Sequence, residues 1–157
     1  MSEEEKLKEY RGKRDFNATP EPKGKSLPKS SGALKYVVQE HYATHLHYDL
    51  RLEMDGVLKS WAVPKGVPVG TDARRLAVQT EDHPVEYAEF EGIIPEGEYG
   101  AGSVKIWDKG SYTPVEKSEN KLIIDLNGEK VKGRYCLIRF KPKENPKNWL
   151  LFRVKKD

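Results

Sequence analysis

The sequence predicts an all-β protein with minor helical decoration, built as a compact antiparallel β-barrel that carries an N-terminal arm. From Lys35 onward, short runs rich in β-branched and aromatic residues alternate with turn residues, which is typical of successive strands. The dipeptides Asp55-Gly56 and Asn127-Gly128 each stand between two such runs, where they favour tight hairpins with positive φ at both positions. A closed barrel is favoured because closure leaves no exposed strand edge.

Eight strands are predicted from these runs, and no internal sequence repeat relates them. Their expected bounds are Lys35–His41, His45–Met54, Val57–Val63, Arg75–Thr80, Ser103–Asp108, Lys121–Leu126, Val131–Phe140 and Trp149–Lys155. The single cysteine, Cys136, falls within the seventh of these strands. We therefore expect it to pack in the core and to serve neither in an internal disulfide nor as a nucleophile.

Size and composition are those of one folded domain with a tail. The chain has 157 residues, of which 36% are hydrophobic, 34% charged and 10% aromatic, and its formal net charge is +3. No apolar run approaches the roughly 20 residues of a membrane-spanning helix, and the N-terminus does not resemble a secretory signal. We expect a cytoplasmic monomer with no membrane partner.

Residues 1–33 are predicted to form a basic arm, and residues 34–157 the barrel domain. The arm lacks sustained periodicity and contains three prolines and the run Ser30-Ser31-Gly32. Composition alone favours a disordered tail for this segment, because few of its residues can be buried.

Charge is distributed unevenly along the chain. Residues 6–35 contain nine basic and three acidic residues, and residues 129–157 contain ten and three. Residues 81–98 contain seven acidic residues and no Lys or Arg. Basic ends suit a partner with a phosphate backbone, such as nucleic acid. They also suit solubility alone, and composition does not separate the two interpretations.

The segment HYATHLHYDLRLEMDG, from His41 to Gly56, has the most informative pattern. From residue 45 to residue 54, His, His, Asp, Arg and Glu occupy the odd positions, whereas Leu, Tyr and Met occupy the even positions. On a strand, one face then carries imidazoles, a carboxylate and a guanidinium, while the other packs in the core. Two types of metal ligand beside a phosphate donor predict a chemical site. An ordinary polar face with cross-strand pairing is the alternative.

A two-residue turn at Asp55-Gly56 also predicts the register of this hairpin. Small side chains then lie beside the candidate ligands and leave room for a substrate. Lys59 falls on the apolar side, so this register requires it to lie near a rim. The expected pairs are Met54 with Val57, Arg51 with Ser60, and Asp49 with Ala62.

A second group of polar residues begins at the run RRLAVQ. Arg75, Glu81 and His83 share one parity before Pro84 stops the strand, so Arg75 and His83 are further candidates. A histidine that caps local backbone is the alternative for His83. The glycines of EGIIPEGEYGAG match no phosphate-binding loop, and they predict tight turns instead.

Two long stretches resemble the phosphoesterase domain of bacterial DNA ligase D and its stand-alone relatives: VVQEHYATHLHYDLRLEMDGVLKSWAVPKG and RLAVQTEDHPVEYAEFEGIIPEGEYGAGSVKIWDKG. The arm motif KRDFNATPEP and the closing NWLLFRVKK extend the resemblance over nearly the whole chain from about Lys13. It implies a small barrel with a manganese site that removes a 3′-terminal ribonucleoside and then the remaining 3′-phosphate. Such trimming prepares ends for repair and ligation by non-homologous end joining. With no ligase or polymerase segment in it, the sequence is that of a stand-alone enzyme or an excised domain.

The resemblance also implies site residues. The metal ligands fall on His41, His47 and Asp49, and the phosphate contacts fall on Arg51 and His83. Further functional positions match Arg14, Asp15, Glu21, Lys65, Arg75, Glu81 and Tyr87. Because three of these lie in the arm, the arm is expected to fold over the site. Tyr42 departs from relatives that more often carry a second His there, and little effect is expected because the first His of the pair is the ligand.

The donor set fits phosphoester chemistry independently of the resemblance. Two imidazoles and a carboxylate leave coordination positions for water and a phosphate oxygen, and they suit manganese, zinc, cobalt or iron. Arg51 and a protonated His83 would neutralise charge on the phosphate during attack by water, or His83 would protonate the leaving oxygen. No residue set predicts a covalent intermediate. Expected partners are nucleic acid 3′ ends, with a DNA ligase and a polymerase acting in trans.

Two other functions fit parts of the pattern. His47, Asp49 and His83 match the two-His, one-carboxylate triad of non-haem iron oxygenases, although such a site requires neither Arg51 nor His41. A non-enzymatic barrel that holds nucleic acid strands for a partner ligase fits the basic ends and the aromatic residues. Such a barrel needs no His-x-Asp face.

Overall fold

The β-branched and aromatic runs form nine strands in the computed structural model, which describes residues 3–24 and 33–154. Two short helices lie in the arm, a 3₁₀ helix spans Val85–Glu89, and no helix in the described ranges is long and apolar enough to cross a membrane. The helices are α1 Glu3–Lys6 and α2 Lys8–Gly12. The strands are β1 Leu34–Tyr42, β2 Leu46–Met54, β3 Val57–Val63, β4 Arg75–His83, β5 Gly92–Ile94, β6 Gly102–Lys117, β7 Lys121–Gly128, β8 Lys132–Arg139 and β9 Asn148–Arg153.

Eight of these strands close into an antiparallel barrel, which confirms the predicted fold class. Their order is β1-β2-β3-β4-β9-β8-β7-β6, and β6 pairs back onto β1. The 16-residue strand β6 makes this closure, because its first part pairs with β1 and its second part with β7. The short strand β5 pairs with β6 beside the barrel and was not predicted.

A single cluster of apolar side chains fills the barrel interior. It includes Leu50 and Leu52 from the even positions of β2, as the alternation predicted, together with Trp61 and Leu151. Burial of such side chains contributes about 1.5–3 kcal/mol each, so this cluster is the main source of stability. Cys136 is also buried, which confirms its predicted packing role.

A second apolar cluster covers part of the outside of the barrel. It joins Tyr10 of the arm to Val37 of β1, Leu58 of β3 and Tyr87 of the 3₁₀ helix. Tyr10 is fully buried there, so residues 3–24 pack against the barrel and are not a free tail. The part of the arm that contains Pro28 and the run Ser30-Ser31-Gly32 lies outside the described residues.

The first predicted hairpin is confirmed. Asp55 and Gly56 have φ values of 54° and 85°, as a two-residue turn of this type requires. Lys59 points to the barrel side, remains partly exposed, and donates from Nζ to Asp82 Oδ2 at 3.0 Å. The observed register contains the three predicted pairs, Met54 with Val57, Arg51 with Ser60, and Asp49 with Ala62.

The second predicted hairpin turns two residues later than expected. β7 continues through Gly128, whose backbone N–H donates to Val131 O at 2.8 Å. The buried carboxylate of Asp108 accepts hydrogen bonds from the backbone N–H groups of residues 129, 130 and 131. These hydrogen bonds stabilise the turn at that position. Gly128 is required for another reason, because a Cβ there would lie 2.2 Å from Asp108 Oδ2.

Strand β4 also differs from its prediction. It extends to His83, and its pairing with β3 shifts by one residue between Thr80 and His83. A bulge of this kind reverses the parity of the residues that follow it. Arg75 and His83 therefore do not share a face, and the prediction that they do was wrong.

Candidate active site

A cavity of about 220 Å³ lies on the outer face of strands β1 to β4, where the arm and residues 87–100 complete its walls. Nine of the twelve predicted site residues line it, and Asp15, Lys65 and Arg75 do not. The nine are Arg14, Glu21, His41, His47, Asp49, Arg51, Glu81, His83 and Tyr87. The polar face of β2 is therefore covered by protein, whereas an ordinary polar strand face would lie in solvent.

Strand register brings the candidate metal ligands together. His41 on β1 stands directly opposite His47 on β2, and Asp49 follows on the same face of β2. On β3, Ala62 stands opposite Asp49, and this small side chain leaves space above the carboxylate. One ligand atom from each of the three candidate residues lies within 4.8 Å of the others.

The three candidate ligands also lie close to one another. Asp49 Oδ2 lies 3.5 Å from His41 Nδ1, and Asp49 Oδ1 lies 3.3 Å from His47 Nε2. The hydrogen bond to Asp49 raises the pKa of His47, although burial partly opposes this. A proton therefore competes with any metal ion for this nitrogen.

Backbone carbonyls orient both imidazoles. His41 Nε2 donates to Gly100 O at 2.7 Å, and His47 Nδ1 donates to His45 O at 3.2 Å. In each ring the other nitrogen faces Asp49 and retains a lone pair when the ring is neutral. Metal-binding histidines are held in this way in proteins, so the residues present fit a divalent ion.

Asp49 is ionised. Burial alone would raise the pKa of its carboxyl group, but the Arg51 guanidinium and the two imidazoles hold it well below the usual range. Arg51 Nη2 donates to Asp49 Oδ2 at 3.2 Å. A carboxylate that stays charged is available to a metal ion across the physiological pH range.

Arg51 is buried and held from several sides. Its Nε donates to Gln39 Oε1 at 2.7 Å, and its guanidinium lies 4.8 Å from the centre of the Tyr87 ring. Its Nη1 has no hydrogen-bond partner within residues 3–24 and 33–154. A buried guanidinium N–H without a partner is costly. The Arg51 side chain also lines the cavity, and a phosphate oxygen is a suitable acceptor for a guanidinium.

His83 lies on the far side of the cavity. Its Nδ1 donates to Glu81 O at 2.9 Å, which leaves Nε2 facing Arg14 Nη2 at 3.5 Å. Burial and the charges of Arg51 and Arg14 lower the pKa of His83 well below its ordinary value. These surroundings favour the neutral imidazole, whereas both roles expected from the sequence require a proton on it.

Arg14 links the arm to the barrel. Its Nε donates to Glu21 Oε2 at 2.9 Å and its Nη1 to Glu81 Oε1 at 3.2 Å, and all three side chains are almost fully buried. Burial would raise the pKa of Glu81, but its own backbone N–H, Arg14 and Lys13 lower it. The two carboxylates and the two cations thus form a charged network along one wall of the cavity.

Tyr87 and Glu21 connect this network to Arg51. Tyr87 donates from its hydroxyl to Glu21 Oε2 at 2.7 Å, and its ring stacks edge-on against His83 at 4.7 Å between centres. Thr19 donates to the other Glu21 oxygen at 2.9 Å. The arm therefore helps to set the position of the aromatic ring on which the Arg51 guanidinium rests.

Three predicted residues have other roles in the structure. Arg75 Nη1 donates to Lys65 O at 2.7 Å and to Gly66 O at 3.0 Å, so it secures the loop after β3. The Lys65 side chain is exposed. Asp15 is exposed and accepts the backbone N–H of Asn17 at 3.0 Å, which forms a turn in the arm.

Sequence analysis missed Gln39, which is fully buried. Its amide donates to Tyr87 O at 2.7 Å and Phe90 O at 3.1 Å, while its oxygen accepts from Arg51. Gln39 lies opposite Asp49 in the strand register. The available signal was its parity with His41 and its position directly after the apolar run Tyr36-Val37-Val38.

The chain is similar to known proteins over nearly its whole length. A family model of the DNA ligase D 3′-phosphoesterase domain matches residues 39–139. The multifunctional non-homologous end joining protein LigD of Mycolicibacterium smegmatis is 53% identical over 162 residues, which cover 96% of this chain and 21% of that protein. The Pseudomonas aeruginosa protein of the same description is 50% identical over 161 residues, with 99% and 19% covered.

The multifunctional non-homologous end joining DNA repair protein LigD of Mycobacterium tuberculosis is 48% identical over 155 residues, with 96% and 20% covered. The chain thus spans about a fifth of the length of these relatives. The family match begins within β1, just before His41, and runs to the end of β8, and the relatives also match the arm. As its resemblance predicted, the chain belongs to the DNA ligase D 3′-phosphoesterase domain family.

Proposed function

We propose that this chain is a manganese-dependent 3′-phosphodiesterase and 3′-phosphomonoesterase that converts DNA strand ends to 3′-OH ends for joining. One observation carries the proposal. The metal-ligand group of His41, His47 and Asp49 shares a cavity with the Arg51 side chain, whose buried Nη1 has no hydrogen-bond partner in the described parts of the chain. A phosphate group is the ligand that both features suit.

His41, His47 and Asp49 would hold the divalent ion. Bound there, the ion would supply positive charge to a phosphate oxygen and lower the pKa of a bound water molecule. Two nitrogen ligands and one oxygen ligand suit manganese, and they also suit zinc or cobalt. The carbonyl groups of Gly100 and His45 keep the two rings in the tautomers that this role requires.

The remaining side chains supply charge and a proton. Arg51 and Arg14 both line the cavity, and both would neutralise the equatorial phosphate oxygens during in-line displacement. An anionic phosphate would offset the two guanidinium charges that lower the pKa of His83. His83 Nε2 would then take up a proton and donate it to the phosphate or to the leaving oxygen.

Two rival functions fit less well. The oxygenase triad expected from sequence used His83, which lies outside the metal-ligand group found among the described residues. His41, His47 and Asp49 are themselves two histidines and a carboxylate, but an oxygenase gives no reason for two buried arginines in the cavity. A non-enzymatic strand-binding barrel gives no reason for a buried ligand group. Oxygen consumption with iron, or binding without turnover, would support these rivals.

Substrate choice is the first test of this function. A ribose 2′-hydroxyl beside the scissile phosphate offers a group that distinguishes RNA from DNA at one position. A site that hydrogen-bonds this hydroxyl leaves a polar group unpaired when deoxyribose binds, so we expect trimming to favour a 3′-terminal ribonucleotide by at least about a hundredfold. The measurement compares two 5′-labelled primer-templates that differ only in a terminal ribo- or deoxyribonucleotide, with manganese present.

Control reactions omit manganese or contain a chelator, and they should yield no product. Equal trimming of both primers, or cleavage at internal positions, would identify a general nuclease instead. The products feed a DNA ligase, and a polymerase that adds ribonucleotides would supply the substrate. We propose both as partners acting in trans.

The two steps should differ in their dependence on Tyr87. In Tyr87→Phe the Glu21 carboxylate loses one hydrogen bond, so more of its negative charge acts on the cavity. A phosphomonoester carries more negative charge than a diester, and we expect the monoesterase step to slow by about tenfold more than the diesterase step. Separate assays on 3′-phosphate and 3′-ribonucleotide primers would measure this ratio.

Two further variants serve as comparisons for Tyr87→Phe. His83→Ala should slow both steps, because each of them needs its proton. Arg75, for which the family resemblance also implies a function, lies outside the cavity. Arg75→Ala should therefore leave the ratio of the two steps unchanged, and a shift as large as that of Tyr87→Phe would contradict this assignment.

A further inference from the structure

Tyr99 stands at the mouth of the cavity and is not explained by packing. Its side chain lines the cavity, yet 48% of the residue is exposed. It belongs to neither apolar cluster of the described residues. An exposed aromatic ring beside a phosphate site is a surface on which a nucleobase can stack.

The loop that carries Tyr99 is fixed to the metal-ligand group. Gly100 follows Tyr99 directly, and its carbonyl accepts the hydrogen bond from His41 Nε2 at 2.7 Å. Gly97 and Gly100 have φ values of 90° and 76°, which the loop needs to make its two tight turns. The ring of Tyr99 is therefore held one residue from the group that orients a candidate metal ligand.

Lys13 of the arm lies against Tyr99 at this mouth. Its Nζ lies 4.7 Å from the centre of the Tyr99 ring, 3.4 Å from its hydroxyl and 3.2 Å from Glu81 Oε2. The side chain of Lys13 is one-third exposed. The mouth thus presents an aromatic ring with an ammonium group over it, and both are partly exposed to solvent.

A nucleotide within a strand offers the complementary pair of groups. The nucleotide on the 5′ side of the scissile phosphate is called here the retained nucleotide. It carries a base, and a second backbone phosphate lies on its own 5′ side. The departing nucleoside carries a base but no further phosphate. An aromatic ring beside an ammonium group therefore matches the retained nucleotide better than the departing one.

We propose that Tyr99 and Lys13 bind the retained nucleotide, with the Tyr99 ring stacked on its base and the Lys13 ammonium group against the phosphate on its 5′ side. This inference rests on the proposed function and adds to it a binding site for the strand outside the reacting phosphate. Because the retained nucleotide is common to both reactions, the two steps should depend on Tyr99 equally.

The test measures KM on strands that have or lack the base of the retained nucleotide. For strands with the base, Tyr99→Ala should raise KM by about tenfold in both steps, whereas Tyr99→Phe should stay within about twofold of wild type. For strands with an abasic retained nucleotide, wild type should lose the same factor, and Tyr99→Ala should lose nothing more. A purely structural role would reduce activity on both strands by equal factors.

Phe140 provides the matched control. It is a similarly exposed aromatic residue with a lysine, Lys141, over its ring, and it does not line the cavity. Phe140→Ala should therefore leave KM unchanged on both strands. Lys13→Gln should reduce the slope of log affinity against log salt concentration by about one, which is the contribution of one phosphate contact. Tyr99→Ala should leave this slope unchanged.

Two outcomes would overturn the proposal. One is a Tyr99→Ala variant that distinguishes base-containing from abasic strands as strongly as wild type does, and the other is an unchanged salt slope in Lys13→Gln. Failure of the proposed function looks different, because wild type itself would then trim no strand. In that case fluorescence anisotropy with a labelled 3′-phosphorylated strand would still compare the same variants and strands by binding.

Discussion

In His47→Ala, manganese-dependent turnover is expected to fall by at least about a hundredfold while the barrel stays folded. Changes to groups that merely support metal ligands already reduce affinity or activity 10–100-fold, and a ligand should matter more. The side chain of His47 is 25% exposed and belongs to neither apolar cluster, so its removal should affect packing little. Turnover, bound manganese and the thermal melting temperature are the three measurements.

His45→Ala is the control for this variant. The His45 side chain is exposed, and its backbone carbonyl, which orients His47, remains after the substitution. Manganese at a hundred times its dissociation constant should stabilise wild type and His45→Ala by about 2.7 kcal/mol, and should not stabilise His47→Ala. Full manganese-dependent turnover in a folded His47→Ala protein would refute the ligand assignment.

Asp49→Asn separates the ligand charge from side-chain shape. It keeps the volume of the residue, but it removes the buried negative charge that faces Arg51. Loss of one partner from a buried pair is destabilising by about 3–5 kcal/mol, so this variant should melt earlier than His47→Ala. Bound manganese should be lost in both variants, because each lacks one of the three ligands.

The polar face of β2 was predictable because two local signals agree. Strict alternation from residue 45 to residue 54 places Asp49 and Arg51 on one face, whatever the rest of the fold does. The Asp55-Gly56 turn then fixes which residues of β3 stand opposite, and the observed pairs are the predicted ones. The register of β2 and β3, and the face on which each β2 side chain lies, were therefore predictable from a stretch of fewer than twenty residues.

The features that sequence missed depend on contacts between distant residues. The second turn shifts because Asp108, about twenty residues earlier, accepts three backbone N–H groups there. The bulge that separates the faces of Arg75 and His83 appears only when β4 pairs with β3. No local sequence pattern predicts the shifted turn or the bulge. A polar residue or an extra strand residue has the same local sequence whether or not a distant residue pairs with it.

The arm shows the same limit. Its composition resembles that of a disordered tail, yet Tyr10 is buried against Val37, Leu58 and the 3₁₀ helix. Those partners lie between 27 and 80 residues away along the chain, so no sequence window contains both sides of the contact. The resemblance to a known family, with its arm motif, was the only signal for a folded arm.

A chain that begins at Ala33 should keep the barrel and lose at least about a hundredfold in activity. None of the arm residues 3–24 that the structure describes belongs to the interior cluster, so the barrel retains its main core. Removal of Tyr10 exposes the outer apolar cluster, however, and removal of Arg14 leaves Glu81 buried beside the cavity without that partner. The melting temperature should therefore fall together with turnover, and both are measured on the shortened chain.

Arg14→Gln distinguishes the chemical contribution of the arm from its packing. It keeps Tyr10 in place but removes the cation between Glu21 and Glu81, whose negative charges would then repel an incoming phosphate. We expect turnover to fall by about a hundredfold or more, as it does when a charged donor to the reacting group is lost. Arg14→Lys should recover part of this loss because it restores the charge without the forked geometry.

Lys8→Gln removes a charge from an exposed position of α2 and serves as the matched control. It should leave turnover within about twofold of wild type, because a single exposed charge contributes little to stability or to the potential in a buried cavity. If Arg14→Gln stays folded and turns over like Lys8→Gln, then the arm acts only as a cover. If Arg14→Lys instead recovers activity but not the melting temperature, the positive charge at position 14 contributes to the reaction itself. Packing alone would change activity and melting temperature together.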